Sequence, residues 1–133
     1  MLTKPIPITE HSLKHKTNKL VSISCVTYNH ERFIRDCLEG FLMQKTTFSV
    51  KIVIFEDCSS DNTASIIREY QERYPYLFEV FFQSENTWGK PIRKKAIEPY
   101  FKAHKDSKYI ALCEGDDYWS DPLKLQKQVD FLE

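Results

Sequence analysis

The chain has 133 residues, 41% of them hydrophobic and 14% aromatic, enough for one domain with a packed core, which excludes a disordered polypeptide. Lys plus Arg and Asp plus Glu both total 19, so the formal net charge is zero and no global basic excess exists to hold a nucleic-acid backbone. No apolar run reaches the roughly 20 residues of a membrane span, and the opening residues lack the apolar stretch of a secretory signal.

Residues 1–19 are polar, carry Pro5 and Pro7, lack periodicity, and read as a leader that is flexible or laid over the domain. His11 and His15 have the spacing of a helical metal pair, but no Glu follows His11 and no helix signal surrounds them, so they read as solvated histidines. Residues 20–26 then predict a strand, with Val21, Ile23 and Cys25 on one face. Residues 30–43 place Phe33, Ile34, Cys37, Leu38, Phe41 and Leu42 on one helical stripe, with Asn29 as the expected N-cap. Residues 50–55 are β-branched and nearly all apolar, the pattern of a buried parallel strand. A second helix is expected over 61–74, started by Ser60 or Asp61, and a third strand over 77–82. A basic helix over 91–104, broken near Pro99, precedes a fourth strand over 109–113. Asp121 followed by Pro122 opens a last helix.

This alternation predicts an α/β fold: a doubly wound, mostly parallel sheet with helices on both faces. Ligands of such sheets bind outside the carboxyl ends of the strands. The four cysteines, Cys25, Cys37, Cys58 and Cys113, form no C-x-x-C pair, so they read as reduced thiols in a cytoplasmic protein. Charge is segregated: residues 76–108 carry seven basic and four acidic side chains, whereas 109–133 carry six acidic and two basic. A basic stretch followed by an acidic one suits contact with an anion and a cation respectively.

The expected strand ends concentrate carboxylates. The first ends in Val26-Thr27-Tyr28-Asn29-His30, the second in Glu56-Asp57-Cys58-Ser59-Ser60-Asp61, the fourth in Glu114-Gly115-Asp116-Asp117. Like charges placed together need a cationic or protic partner. Three carboxylates in four residues, with a glycine that permits close backbone approach, suit Mg²⁺ or Mn²⁺ sharing its shell with phosphate oxygens. Ser60 and Asp61 are expected to cap a helix, leaving Asp57 as the spare acceptor for a base or ribose; the Tyr28 ring could stack on a base.

Three segments, VSISCVTYNHERFIRDCLEGFLMQ, IVIFEDCSSDNT and YIALCEGDDYWSDPLKLQKQVDFL, occur in an order and at separations that resemble the nucleotide-binding half of family 2 glycosyltransferases, which have the GT-A, Rossmann-like fold. The resemblance covers residues 20–133. It implies that Val26 and Tyr28 contact the nucleobase, that Asp57 hydrogen-bonds a uracil ring, and that Arg93 approaches the base or phosphates. Glu114, Gly115 and Asp116 correspond to the family's D-x-D motif, with Asp117 beside it. Asp116 is then expected near the ribose, and Asp116, Asp117 and Glu114 are the metal candidates. The chain departs from the pattern at Glu114 and Glu56, where Asp is usual, and at Cys58, where Gly is common.

The resemblance implies a hexosyltransferase that moves a sugar, with inversion, from a UDP-sugar to a glycan or lipid-linked hydroxyl in polysaccharide synthesis. It would work with Mn²⁺ or Mg²⁺ in the cytoplasm or at the inner membrane face. The metal would stabilise the diphosphate leaving group, and a base would deprotonate the acceptor. That base is expected beyond Glu133, so the chain reads as the donor half of a longer domain, inactive alone, whose sheet edge a homodimer could cover. Two alternatives share the strand-end chemistry. A flavodoxin-like phosphoacceptor wants an acidic pair after the first strand, where Val26-Thr27-Tyr28-Asn29 has none. A nucleotidyltransferase wants a glycine-rich loop there, and the three glycines, Gly40, Gly89 and Gly115, lie elsewhere.

Overall fold

Short apolar strands and amphipathic helices alternate along the computed structural model, which describes residues 4–11 and 20–133. In chain order the elements are β1 (Ile6–Pro7), a 3-10 turn (Ile8–Glu10), β2 (Val21–Thr27), α1 (Ile34–Leu42), β3 (Lys45–Thr46), β4 (Val50–Glu56), α2 (Thr63–Arg73), β5 (Phe78–Phe82), α3 (Arg93–Ala96), α4 (Glu98–Lys102), β6 (Tyr109–Leu112) and α5 (Lys124–Leu132). The main sheet has the order β5-β4-β2-β6, and every pair in it is parallel. The fold is the α/β arrangement expected, with helices on both faces.

Strand handedness explains the layering. The chain runs outward from β2 to β4 to β5 and then returns to β6 on the far side of β2. Right-handed crossovers therefore place α1 and α2 on one face and α3 and α4 on the other. The sequence obeys this split residue by residue. Val21, Ile23 and Cys25 of β2, with Ile52 and Ile54 of β4, pack against Ile34, Leu38, Phe41, Ile67, Leu125 and Val129. The alternate β4 residues Val53 and Phe55 face Tyr100, Ile97 and Ala103. The α3–α4 face is also the polar one. Ser22 Oγ hydrogen-bonds His104 Nδ1 at 2.5 Å, Ser24 bonds the Tyr100 hydroxyl, and Lys51 Nζ donates to the Ala103 carbonyl.

Several boundaries differ from the sequence reading. Asn29 does not cap α1: it sits at φ 53, and the His30 carbonyl accepts from Phe33 and Ile34 to wind a turn before the helix begins. The second helix starts at Thr63, whose amide donates to Asp61 Oδ1 at 3.0 Å. The basic helix is two pieces that meet at Ile97, with Pro99 in the first turn of the second. Asp121 Oδ1 accepts from the Leu123 amide, one turn ahead of α5. A small antiparallel ladder, β1 with β3, was not expected; two-residue strands lie below what periodicity can register. It lays Ile8 into the core, and His11 Nε2 donates to the Thr46 carbonyl at 3.0 Å, while His15 lies outside the described residues. All four cysteines are free thiols. Among the described residues no helix is long and apolar enough to cross a membrane.

Candidate functional site

The carboxyl ends of β4, β2 and β6 are tied into one ledge by backbone bonds. The Asp57 amide donates to the Thr27 carbonyl at 3.0 Å, and the Gly115 amide to the Val26 carbonyl at 3.1 Å. The switch in winding direction falls between β2 and β6, the position outside which ligands of such sheets bind. Gly115 is packed closely there. A Cβ there would lie 2.4 Å from Thr27 Oγ1 and 2.7 Å from His30 Nδ1, nearer than non-bonded atoms come.

The loops after β2 and β4 clasp each other through the residues that flank the strand ends. Ser59 Oγ accepts from the Asn29 amide at 2.8 Å, and Asn29 Oδ1 accepts from the Ser60 amide at 2.8 Å. Asp61 Oδ2 accepts from the Glu31 amide and Glu31 Oε1 from the Asn62 amide, while the His30 amide donates to Thr63 Oγ1. Glu56 is buried and holds Ser59 through both its amide and its hydroxyl. These residues are scaffold, spent on positioning the ledge. Asn29 and Cys58 both adopt positive φ to make the turns, a backbone region that glycine enters most freely.

Asp57 was read as the spare acceptor; the structure shows it engaged. It is 2% exposed. Its Oδ1 accepts from the Thr87 amide at 2.9 Å and the Thr87 hydroxyl at 2.8 Å. Its Oδ2 makes two longer contacts, with Asn86 Nδ2 and Arg93 Nη1, each 3.3 Å. Arg93 is in turn held over the rings of Phe55 at 5.4 Å and Trp88 at 5.1 Å. Sequence reasoning named Asp57 and Arg93 separately and missed Asn86, Thr87 and Trp88, which sit about thirty residues from Asp57 with no local signal linking them to it.

The other candidates lie on the ends of β2 and β6. Tyr28 is 43% exposed at the mouth of the ledge, and Val26 is half-buried with its carbonyl committed to Gly115. Glu114, Asp116 and Asp117 are exposed on the loop after β6. Asp116 lies 3.9 Å from His30 Nε2, and His30 Nδ1 bonds Thr27 Oγ1 at 2.9 Å. His30 thus links the β2 end to the acidic loop. Asp117 Oδ1 accepts from the Tyr118 amide.

Among the described residues no three His, Cys, Asp or Glu side chains converge closely enough to hold a metal alone. The donor set nevertheless fits a hard cation bound jointly with a ligand: one or two carboxylates, with water and phosphate oxygens completing the shell. Hydrogen bonding with Cys37 and burial push the Cys113 thiol upward, away from the thiolate form. What the ledge presents is an acceptor–guanidinium pair under aromatic rings on one side and exposed carboxylates on the other.

The family described as "Glycosyl transferase family 2" matches residues 22–133. An uncharacterised protein of Mycobacterium tuberculosis is 43% identical over 85% of this chain and 31% of its own length. A Bacillus subtilis protein named for teichuronic acid biosynthesis, the glycosyltransferase TuaG, is 31% identical over 85% of this chain and 42% of its own. The chain thus spans about a third of the length of the first of these relatives. Among solved structures, S. aureus TarS 1–349 in complex with UDP aligns with a TM-score of 0.67 at 23% identity, over 84% of this chain and 31% of that one. The mannosyltransferase PcManGT of Pyrobaculum calidifontis, in complex with GDP-Man and Mn²⁺, aligns at 0.68 and 21% identity, over 96% and 34%. On the match across residues 22–133, the chain belongs to glycosyl transferase family 2, and its fold is the GT-A fold.

Proposed function

We propose that this chain holds the donor nucleotide for hexosyl transfer from a nucleotide-diphosphate sugar, with UDP as the nucleotide, to a hydroxyl acceptor in polysaccharide synthesis on the cytoplasmic side of a membrane. The observation that carries the reading is the ledge: the Asp57–Arg93 pair, 3.3 Å apart with Arg93 over the rings of Trp88 and Phe55, on the end of β4, and the exposed Glu114, Asp116 and Asp117 after β6. A uracil edge offers an N–H donor flanked by carbonyl acceptors. Asp57 Oδ2, with its two long contacts, is the acceptor that can exchange a partner for that N–H, and Arg93 the donor that can turn to a base carbonyl or a phosphate. Tyr28, exposed at the mouth, supplies a face for stacking.

Asp116 and Asp117 are the residues that would hold Mn²⁺ or Mg²⁺ on the diphosphate, with Glu114 reaching from the same loop. A divalent cation there neutralises the charge that develops on the leaving diphosphate. His30 and Thr27 fix the approach of Asp116, and Gly115 lets the acidic loop sit against β2. Inversion at the sugar carbon needs a base opposite the leaving group, and no residue of this chain is assigned to it; the proposal gives these residues donor binding alone. With the family shown, the phosphoacceptor and nucleotidyltransferase alternatives fall away. The UDP complex of one neighbour, the GDP-Man and Mn²⁺ complex of another, and the polysaccharide named for TuaG support the choice of donor class, metal and pathway type.

Amide NMR of the isotopically labelled chain tests the assignment by residue. UDP is expected to shift Tyr28, Asp57 and Thr87. Added Mn²⁺ is expected to broaden Asp116, Asp117 and Tyr118 through its unpaired electrons, and more strongly with UDP present. Broadening confined to other acidic residues, such as Glu69 or Glu72 on α2, would refute it.

A further inference from the structure

The outer surface of the α3–α4 layer carries an exposed apolar and basic face that begins at Trp88, the residue that also covers Arg93 of the ledge. Trp88 is 74% exposed although Arg93 stacks on its ring, so the indole is held in place and presented to solvent. Ile92 is 40% exposed and lines an open apolar hollow with Pro91, Lys95 and Ala96. Phe101, further along the layer, is also exposed.

Around these sit Lys90, Lys94, Lys95, Lys102 and Lys105, all exposed. Between residues 88 and 106 the acids are Glu98, paired with Lys102 at 2.9 Å, and the exposed Asp106. A chain of zero net charge therefore carries a strongly basic, aromatic-studded face.

Lysines alone would suit any polyanion. Apolar side chains held outward among them suit a surface whose charge lies over hydrocarbon. Indoles settle at that boundary, and lysine stems lie along it with the ammonium at the headgroups. We propose that the α3–α4 face docks on an anionic lipid bilayer, with Trp88 and Ile92 entering the headgroup layer and Lys90, Lys94 and Lys95 meeting lipid phosphates. Because Trp88 also caps Arg93, docking sets the ledge beside the membrane surface, within reach of a lipid-linked acceptor. The inference stands on exposure and charge and does not depend on what the ledge binds.

The chain carries its own reporter, since Trp119 is buried and Trp88 is the exposed indole. The test is co-sedimentation and tryptophan emission of the 133-residue chain with phosphatidylcholine vesicles, with and without about 30 mol% phosphatidylglycerol, at about 0.05 M and about 0.5 M salt. Binding is expected only to the anionic vesicles, with a blue shift, and most of it is lost at high salt. Lys94→Glu/Lys95→Glu is expected to weaken it on the order of tenfold or more. Ile92→Ser is expected to reduce the blue shift. The equal charge change Arg32→Glu/Arg73→Glu, on the opposite layer, should leave binding within about twofold. Circular dichroism checks folding, and Lys102→Glu/Lys105→Glu repeats the test should the first pair fail to fold. The proposal is overturned by no sedimentation with anionic vesicles at low salt, by equal binding to pure phosphatidylcholine, or by undiminished binding of the folded lysine variants. Self-association abolished by Ile92→Ser without vesicle binding would assign the face to a second copy instead. Binding to a single-stranded oligonucleotide with no blue shift on vesicles would assign it to nucleic acid.

Discussion

Gly115 joins the fold to the site at the scale of a single residue. Its amide completes the tie to Val26, and its missing side chain lets Thr27 and His30 lie against the acidic loop. Gly115→Ala forces the loop away from rigid neighbours, an overpacking cost of roughly 1–3 kcal/mol. Urea unfolding is expected to show that loss, and affinity for UDP with Mn²⁺ should fall with it; an unchanged midpoint would mean the loop is not seated as described. Asp57 shows what was and was not legible in the sequence. A carboxylate directly after a buried apolar strand marks a strand end, which is a local signal. That the carboxylate would be covered by Thr87 and Arg93 is not local, since those partners lie 30 and 36 residues away. The pair predicts a double effect. Asp57→Ala strands a guanidinium that is mostly shielded from solvent, at a cost on the order of 2 kcal/mol, and also removes the acceptor for the base. A variant with wild-type stability and wild-type UDP affinity would contradict both.

Between elements, the polar contacts under α4 carry a pH dependence. His104 is buried, its Nδ1 takes the bond with Ser22, and its Nε2 has no partner. Burial, with Lys51 nearby as the second cause, lowers its pKa below the ordinary histidine value. The unfolded chain then binds the proton more readily than the folded one. Stability is complete above the unfolded histidine value and falls as pH drops through and below it, towards the folded value. Urea midpoints should therefore decline from about pH 7.5 to about pH 5.5, and His104→Gln should flatten that decline. An equal decline in both proteins would assign it elsewhere. Periodicity revealed most helices and the strands of the main sheet because each buries a whole stripe or face. It placed the start of α1 four residues early, because Asn29 looks like a cap in isolation. In the fold, its carboxamide oxygen serves the Ser60 and Asp61 amides of another loop. The short β1–β3 ladder escaped notice because two residues carry no period.

At the scale of the whole molecule, topology does most of the positioning. A sheet of order β5-β4-β2-β6, wound outward and then back, brings the ends of β4, β2 and β6 side by side although they are far apart in sequence. The resemblance in three ordered segments was legible because each segment is a strand and the loop after it. The division of labour inside those loops was not. Asn29, Glu31, Glu56, Ser59 and Asp61 hold loop to loop, which leaves Tyr28, the Asp57–Arg93 pair, Asp116 and Asp117 for the donor role proposed above. Isothermal titration of UDP into the chain, with Mn²⁺ and then without it, tests that division most directly. The expected result is saturable heat that needs the cation, is lost in Asp117→Ala, and is sharply reduced in Asp57→Ala. Absence of heat and of any melting shift at millimolar nucleotide and cation, or identical heat in all three proteins, would contradict it.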